Sequence, residues 1–169
     1  MVVRFLRLDW DETASWDDVR IRGTLDRRPY PQTFVRKVST VDVELGGVPA
    51  RRFVPPAARP SGVVLFFHGG SYVYGSSRTT HADLLARLAL ASGVEVIGLE
   101  YRLAPEHRFP AQLEDAIAAF DALVAAGTAP GRIVLAGDSA GGNLALATQL
   151  ALRYRGGPQA AATALLSPW

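Results

Sequence analysis

The sequence predicts an α/β protein, a mostly parallel sheet with helices on both faces. Two observations carry that expectation. Short apolar runs at Val63 to Phe67, Val94 to Glu100, Arg132 to Ala136 and Ala162 to Leu166 are separated by amphipathic stretches of helical period, the rhythm of parallel strands joined by crossover helices. Glycine-rich motifs follow two of these runs directly, at the carboxyl ends of strands, where open α/β sheets hold their ligands. At 169 residues and 49% hydrophobic content, the chain is long enough to bury a core of its own.

Residues 1–38 read as a cap-like lead-in and residues 39–169 as the core. The lead-in carries charge and aromatics (Trp10, Trp16, Tyr30, Phe34), is broken by Pro29 and Pro31, and lacks strand alternation, so it reads as one or two short helices plus irregular chain. Val41, Val43 and Leu45 then alternate with polar residues, Gly46-Gly47 turns the chain, and Ala50 to Val54 returns as an antiparallel partner. Pro55, Pro56 and Pro60 form a stiff linker into the first parallel strand. A first helix is expected from a Thr80/Asp83 start signal, with Leu84, Leu88 and Ala91 on one face and Gly93 as the stop. The second opens at Pro110, repeats Leu113, Ile117, Phe120 and Val124, and ends near Gly127. The third starts at Ala140, uses Leu144, Ala147 and Leu150, places Arg153 and Arg155 at its negative end, and stops at Gly156-Gly157-Pro158.

Composition excludes several classes of function. Eighteen basic against sixteen acidic residues give a net charge of +2 without any basic strip interleaved with aromatics, which argues against nucleic acid as a partner. The absence of cysteine removes disulfides, thiolate catalysis and cysteine-bound zinc. The segment Met1 to Asp9 reaches charge too soon for a secretory signal, and no apolar run approaches a membrane span, so a cytoplasmic protein is expected.

Gly137-Asp138-Ser139-Ala140-Gly141 stands between a strand-like run and a helix-like one. A serine hydroxyl is a weak nucleophile, and a sharp strand-to-helix turn exposes it beside the positive end of the helix and the free N–H of Ala140. Gly137 and Gly141 allow strand and helix to approach closely around the turn. The competing reading is a tight turn with an idle serine. The neighbouring motif, His68-Gly69-Gly70-Ser71, follows the Val63 to Phe67 run and favours the catalytic reading. Attack on an acyl carbonyl places charge on oxygen, and backbone donors aimed there stabilise it. Two N–H groups from Gly69, Gly70 and Ser71 are expected to join that of Ala140. His68 reads as an anchor of this loop, and the Asp138 side chain as a support directed away from Ser139.

With Tyr101-Arg102-Leu103-Ala104-Pro105-Glu106-His107 between them, these motifs make the stretch 38–169 resemble the hormone-sensitive-lipase-like esterases of the α/β-hydrolase fold. The resemblance implies a serine carboxylesterase for short acyl esters, with Ser139 as nucleophile, a cap contributed by the amino-terminal segment, a small-molecule ester as partner, and neither cofactor nor metal. Ser71 stands where such proteins more often carry a third glycine. From Ala140 to Trp169 there is no Asp, Glu or His, so the acid and base of a triad are not encoded after the serine. The expectation is a hydrolase core truncated after about its sixth strand, weak in activity alone. Its uncovered strand Ala162 to Leu166 would invite a complementing fragment or self-association. Arg102 and Glu106 are candidate bracing charges, and Asp115 a solvated or bracing carboxylate. The alternative is a non-catalytic small-ligand-binding module of the same fold, as in the gibberellin receptors.

Overall fold

A computed structural model of the chain describes residue 15 and residues 32–59 and 62–169. Most of the expected cap-like segment, with its helices, therefore lies outside the described residues, as does Pro60; residues 35–37 form a short 3-10 turn, Val35–Lys37. Six strands follow: β1 Ser39–Leu45, β2 Val48–Val54, β3 Val63–Phe67, β4 Glu95–Leu99, β5 Ile133–Asp138 and β6 Ala162–Leu166. Three helices connect them: α1 Ala82–Ser92, α2 Ala111–Ala125 and α3 Ala140–Tyr154. The strands form one sheet in the order β1-β2-β4-β3-β5-β6. Strands β1 and β2 make the expected hairpin, β2 also pairs antiparallel with β4, and β4, β3, β5 and β6 run parallel.

The sheet has a core on each face, and strand alternation assigns side chains to them. Val63, Leu65 and Phe67 of β3 meet Leu135, Ile97, Phe120 and Leu144 on the face covered by α2 and α3. Val64 and Phe66 meet Phe53, Val96, Leu85 and Ala86 on the face covered by α1. All five residues of β3 are buried, as its place between two strands and two helical layers requires.

The helix faces differ from expectation in two places. In α1 the residues on the sheet are Ala82, Leu85, Ala86 and Ala89, whereas Leu84 is 39% exposed and Ala91 is exposed. Leu84, Leu88 and Ala91 do share a side of the helix, but small residues let the other side lie close to the sheet. The helix also starts without the Thr80/Asp83 cap: His81 stands at the N-cap, and Asp83 instead accepts from the Phe34 N–H at 2.8 Å and pairs with Arg87. In α3 the buried set is Leu144, Ala145, Thr148 and Leu152, and Leu150 is 43% exposed. Two successive steps of three residues lag a 3.6-residue turn, which carries Leu150 away from the Leu144 face. Arg153 does lie in the last turn of α3, and Arg155 pairs with Asp121 of α2 at 2.7 Å. In α2, Phe120 is fully buried, with Leu113 and Val124 packed at the margin of the core.

Register places the site. Phe67 at the end of β3 lies opposite Gly137 of β5, so the loop leaving β3 and the turn leaving β5 emerge side by side. No helix among the described residues is long and apolar enough to cross a membrane.

Candidate active site

Strand β5 ends at Asp138 and α3 begins at Ala140, which leaves Ser139 alone to make the turn. Its backbone sits at φ 50 and ψ −120, a conformation costing a non-glycine residue about 1–3 kcal/mol. The surroundings hold it there. The Ser139 N–H donates to the Leu166 carbonyl at 2.9 Å, and the Ser139 carbonyl accepts from the N–H groups of Asn143 and Trp169 at 3.0 and 3.1 Å. Gly137 and Gly141 are both buried, and neither leaves room for a side chain: a Cβ on Gly137 would overlap the Gly141 carbonyl, and one on Gly141 the Phe67 and His68 carbonyls. The serine itself is exposed, as a nucleophile must be.

The loop after β3 is equally constrained. Gly70 has φ 133, and Ser71 and Tyr72 follow at 55 and 62, so three successive residues take positive φ. The Gly70 carbonyl closes the turn by accepting from the N–H groups of Val73 and Tyr74 at 2.9 and 3.0 Å. His68 anchors the base of the loop. Its buried ring stacks on Tyr101 with centroids 4.4 Å apart, its Nδ1 lies 3.0 Å from the Gly69 carbonyl, and its own carbonyl accepts from the Tyr101 hydroxyl at 2.6 Å. Burial pushes the His68 imidazole down to about 4, so it is neutral at physiological pH.

One expected donor is corrected. The Gly69 N–H points to Asp138, donating to Oδ1 at 2.8 Å, and the carboxylate occupies the space that a Cβ on Gly69 would need. An amide engaged there has no hydrogen to offer an acyl oxygen, which narrows the candidate loop donors to Gly70 and Ser71. Ala140 keeps its candidacy, because the first N–H of a helix has no partner within the helix.

Asp138 supports the site from behind, its side chain reaching Gly69 and His81. Burial would raise its pKa, but the hydrogen bond and charge of His81 and the Gly69 N–H outweigh burial and hold the carboxyl below its usual range. His81, at the N-cap of α1, is buried with Nε2 3.1 Å from Asp138 Oδ1 and Nδ1 2.7 Å from Thr80 Oγ1. No local pattern announces this role, since the two residues are 57 positions apart.

The Tyr101 to His107 segment braces the site. Asp115, buried on α2, accepts from the Arg102 N–H at 2.8 Å and from its Nε at 2.9 Å, and Arg102 also reaches Glu114 at 3.1 Å. Of the two roles open to Asp115, bracing is the one observed. His107 is exposed in this loop, and among the described residues the hydrogen bonds of His68 and His81 go to partners other than the Ser139 side chain. On the far side of the loop, the Tyr72 hydroxyl donates to Asn143 Oδ1 at 2.7 Å, and burial pushes the phenol up to about 12, which keeps that proton in place. Asn143 Nδ2 donates in turn to the Trp169 carbonyl at 3.1 Å. Neither tyrosine nor asparagine is singled out by the sequence reading except as a letter within a motif.

The family model for the alpha/beta hydrolase fold matches residues 64–169. The chain is 45% identical over 128 residues to an acetyl-hydrolase of Streptomyces hygroscopicus, covering 76% of this chain and 42% of that protein. It superposes with a TM-score of 0.82 and 46% identity on the crystal structure of an esterase from the bacterial hormone-sensitive lipase family, over 92% of this chain and 52% of the other. It is also 43% identical over 98 residues to the gibberellin receptor GID1 of Oryza sativa subsp. japonica, over 53% of this chain and 27% of the receptor. The chain thus spans about half the length of the proteins it matches.

Proposed function

The chain belongs to the alpha/beta hydrolase fold family, among its hormone-sensitive-lipase-like esterases, and from that premise we propose that it carries the nucleophile half of a serine carboxylic-ester hydrolase acting on short acyl esters. The observation that carries the reading is the exposed Ser139 at φ 50 on a turn with no room for side chains at Gly137 or Gly141, beside a loop of positive-φ residues. In the reaction, the Ser139 hydroxyl oxygen bonds to the ester carbonyl carbon. The carbonyl oxygen takes the negative charge and faces the amides of Gly70, Ser71 and Ala140, each such donor being worth about 3 kcal/mol to the transition state. The alcohol leaves with a proton, the acyl group stays on Ser139, and water then releases it as the acid. The residues placed here supply a nucleophile and oxyanion donors without a base hydrogen-bonded to Ser139, so activity by these residues alone is weak, of the order of the ~10³ to 10⁴-fold over water that serine hydrolases keep without a working triad. The reading includes a cytoplasmic location and self-association, or pairing with a complementing fragment, through β6.

Incubation with p-nitrophenyl acetate tests it. The expected outcome is release of p-nitrophenolate together with an acetyl group on the peptide containing Ser139, both lost in Ser139→Ala. Release equal to that of Ser139→Ala, with no acetyl on Ser139, ends the esterase reading. Similarity to the rice gibberellin receptor supports a second reading, a ligand-binding module. Saturable binding of a small carboxylate or ester, with Ser139 never acylated, would select it.

A further inference from the structure

We infer that Asp138 and His81 are positioning residues for the oxyanion loop, acting by fixing the Gly69 amide and, through it, the direction of the two amides that follow. The catalytic consequence rests on the esterase reading; the positioning itself does not.

The loop needs an external hold. Ser71 and Tyr72 both sit in the left-handed region, which non-glycine residues occupy only when their surroundings impose it. Oxyanion donors work within about 2.7–3.1 Å of the charged oxygen, so a small drift of the loop removes their effect. Asp138 is adjacent in sequence to the nucleophile and bonded to the residue before the donors, so it ties the two halves of the site directly to each other. A carboxylate has lone pairs enough to accept from the Gly69 N–H and, when the ring carries a proton there, from His81 Nε2, which itself lies 3.3 Å from the Gly69 nitrogen. His81 is held in turn. Thr80 Oγ1 meets its Nδ1 at 2.7 Å, accepts from the Ser76 N–H at 3.0 Å and faces the Ser76 carbonyl at 3.1 Å. A continuous line therefore runs from the loop before α1 through His81 and Asp138 to Gly69.

A bare carboxylate beside a developing oxyanion would oppose the reaction by like-charge repulsion. Hydrogen bonding to His81 and the Gly69 amide stabilises that charge, which explains why an acid is tolerated next to the nucleophile. Asparagine preserves the connection. Its oxygen accepts from Gly69 and its NH2 donates to His81 Nε2 in the tautomer with the proton on Nδ1, where Thr80 Oγ1 accepts from Nδ1 while its hydroxyl donates to the Ser76 carbonyl. Alanine preserves none of it.

The test compares Asp138→Ala, Asp138→Asn, His81→Leu and His81→Gln in the ¹⁵N-labelled chain, measuring amide exchange at Gly69 and the p-nitrophenyl acetate dependence of acylation. Asp138→Ala is expected to speed Gly69 exchange at least about tenfold and to lower the acylation rate constant about 10²-fold, with the half-saturating ester concentration nearly unchanged. Asp138→Asn is expected to restore exchange and to recover acylation to within about tenfold of the parent. Should Asp138→Ala fail to fold by circular dichroism, the His81 pair decides: His81→Leu should speed exchange, and His81→Gln, which still donates to Asp138, should restore it. Parent-like Gly69 exchange in Asp138→Ala and His81→Leu, or variants with asparagine and glutamine as damaged as those with alanine and leucine, would overturn the inference. A parent chain that never acylates Ser139 removes the esterase reading, while the exchange comparison still decides the positioning.

Discussion

Strands β3 and β6 are both five residues long, apolar and paired in parallel, yet they live in different solvents. Every residue of Val63–Phe67 is buried, because β4 and β5 flank it and helices cover both faces. Strand Ala162–Leu166 has β5 on one side only among the described residues, and Leu165 and Leu166 are 37% and 44% exposed. Position in the sheet, and not side-chain character, decides burial here. The edge is still tied to the chemistry, because the Leu166 carbonyl receives the Ser139 N–H. The centre supplies the rigid frame of the site, and the edge supplies one backbone contact to it.

Filling the closest approach at the centre gives the largest expected effect. Gly141→Ala puts a Cβ into two backbone carbonyls at the junction of β3, β5 and α3, and backbone cannot swing aside as a side chain can. A loss of more than about 4 kcal/mol is expected, read as failure to fold or as a collapse of the urea midpoint. Gly131→Ala, where an added Cβ meets nothing within 4 Å, should stay within about 0.5 kcal/mol of the parent. Equal midpoints for the two variants would contradict a close-packed turn at Ser139.

The second effect is a pH dependence that belongs to the centre. His68 is neutral in the fold with its pKa lowered from 6.5 to about 4, so between those values the unfolded chain binds a proton that the native state refuses. Its contribution is complete above about pH 6.5 and is lost as pH falls toward 4, on the order of 3 kcal/mol at about 1.4 kcal/mol per pH unit. Asp138, whose pKa is lowered from 3.8, loses its contribution only below that range. Urea midpoints should therefore decline from pH 7 to 4, and His68→Asn should flatten the decline while leaving the further loss at lower pH. A parent whose midpoint does not move between pH 6.5 and 4 would refute the neutral anchor.

How much of this the sequence reveals follows from the range of the forces involved. The strands fall within one or two residues of their expected bounds, because alternation and apolar runs are local signals. The insertion of β4 between β2 and β3 is a tertiary outcome, and no local pattern specifies it. In α1 the expected face was the leucine side, but Ala82, Ala86 and Ala89 bring the helix close to the sheet, a choice only the opposing surface determines. Ser139, Gly137 and Gly141 are legible because strand, turn and helix are contiguous. Gly69 is misjudged as a donor because its amide answers to a carboxylate 69 positions away, and His81 is missed for the same reason.

The smallest effect on stability, and the most specific one, belongs to the edge. Leu165→Lys with Leu166→Lys places two charges on the exposed strand while leaving the Leu166 carbonyl, a backbone group, free to hold the Ser139 N–H. Because both side chains already meet solvent, the urea midpoint should shift by no more than about 0.5 kcal/mol per residue. Charge on an open edge opposes strand pairing between chains, so the concentration-dependent sedimentation expected of the parent should give way to a single slow species. Unchanged sedimentation would mean that β6 is not the surface through which copies meet. A large loss of stability would mean that these leucines are packed, and that the contrast between centre and edge is weaker than their exposures indicate.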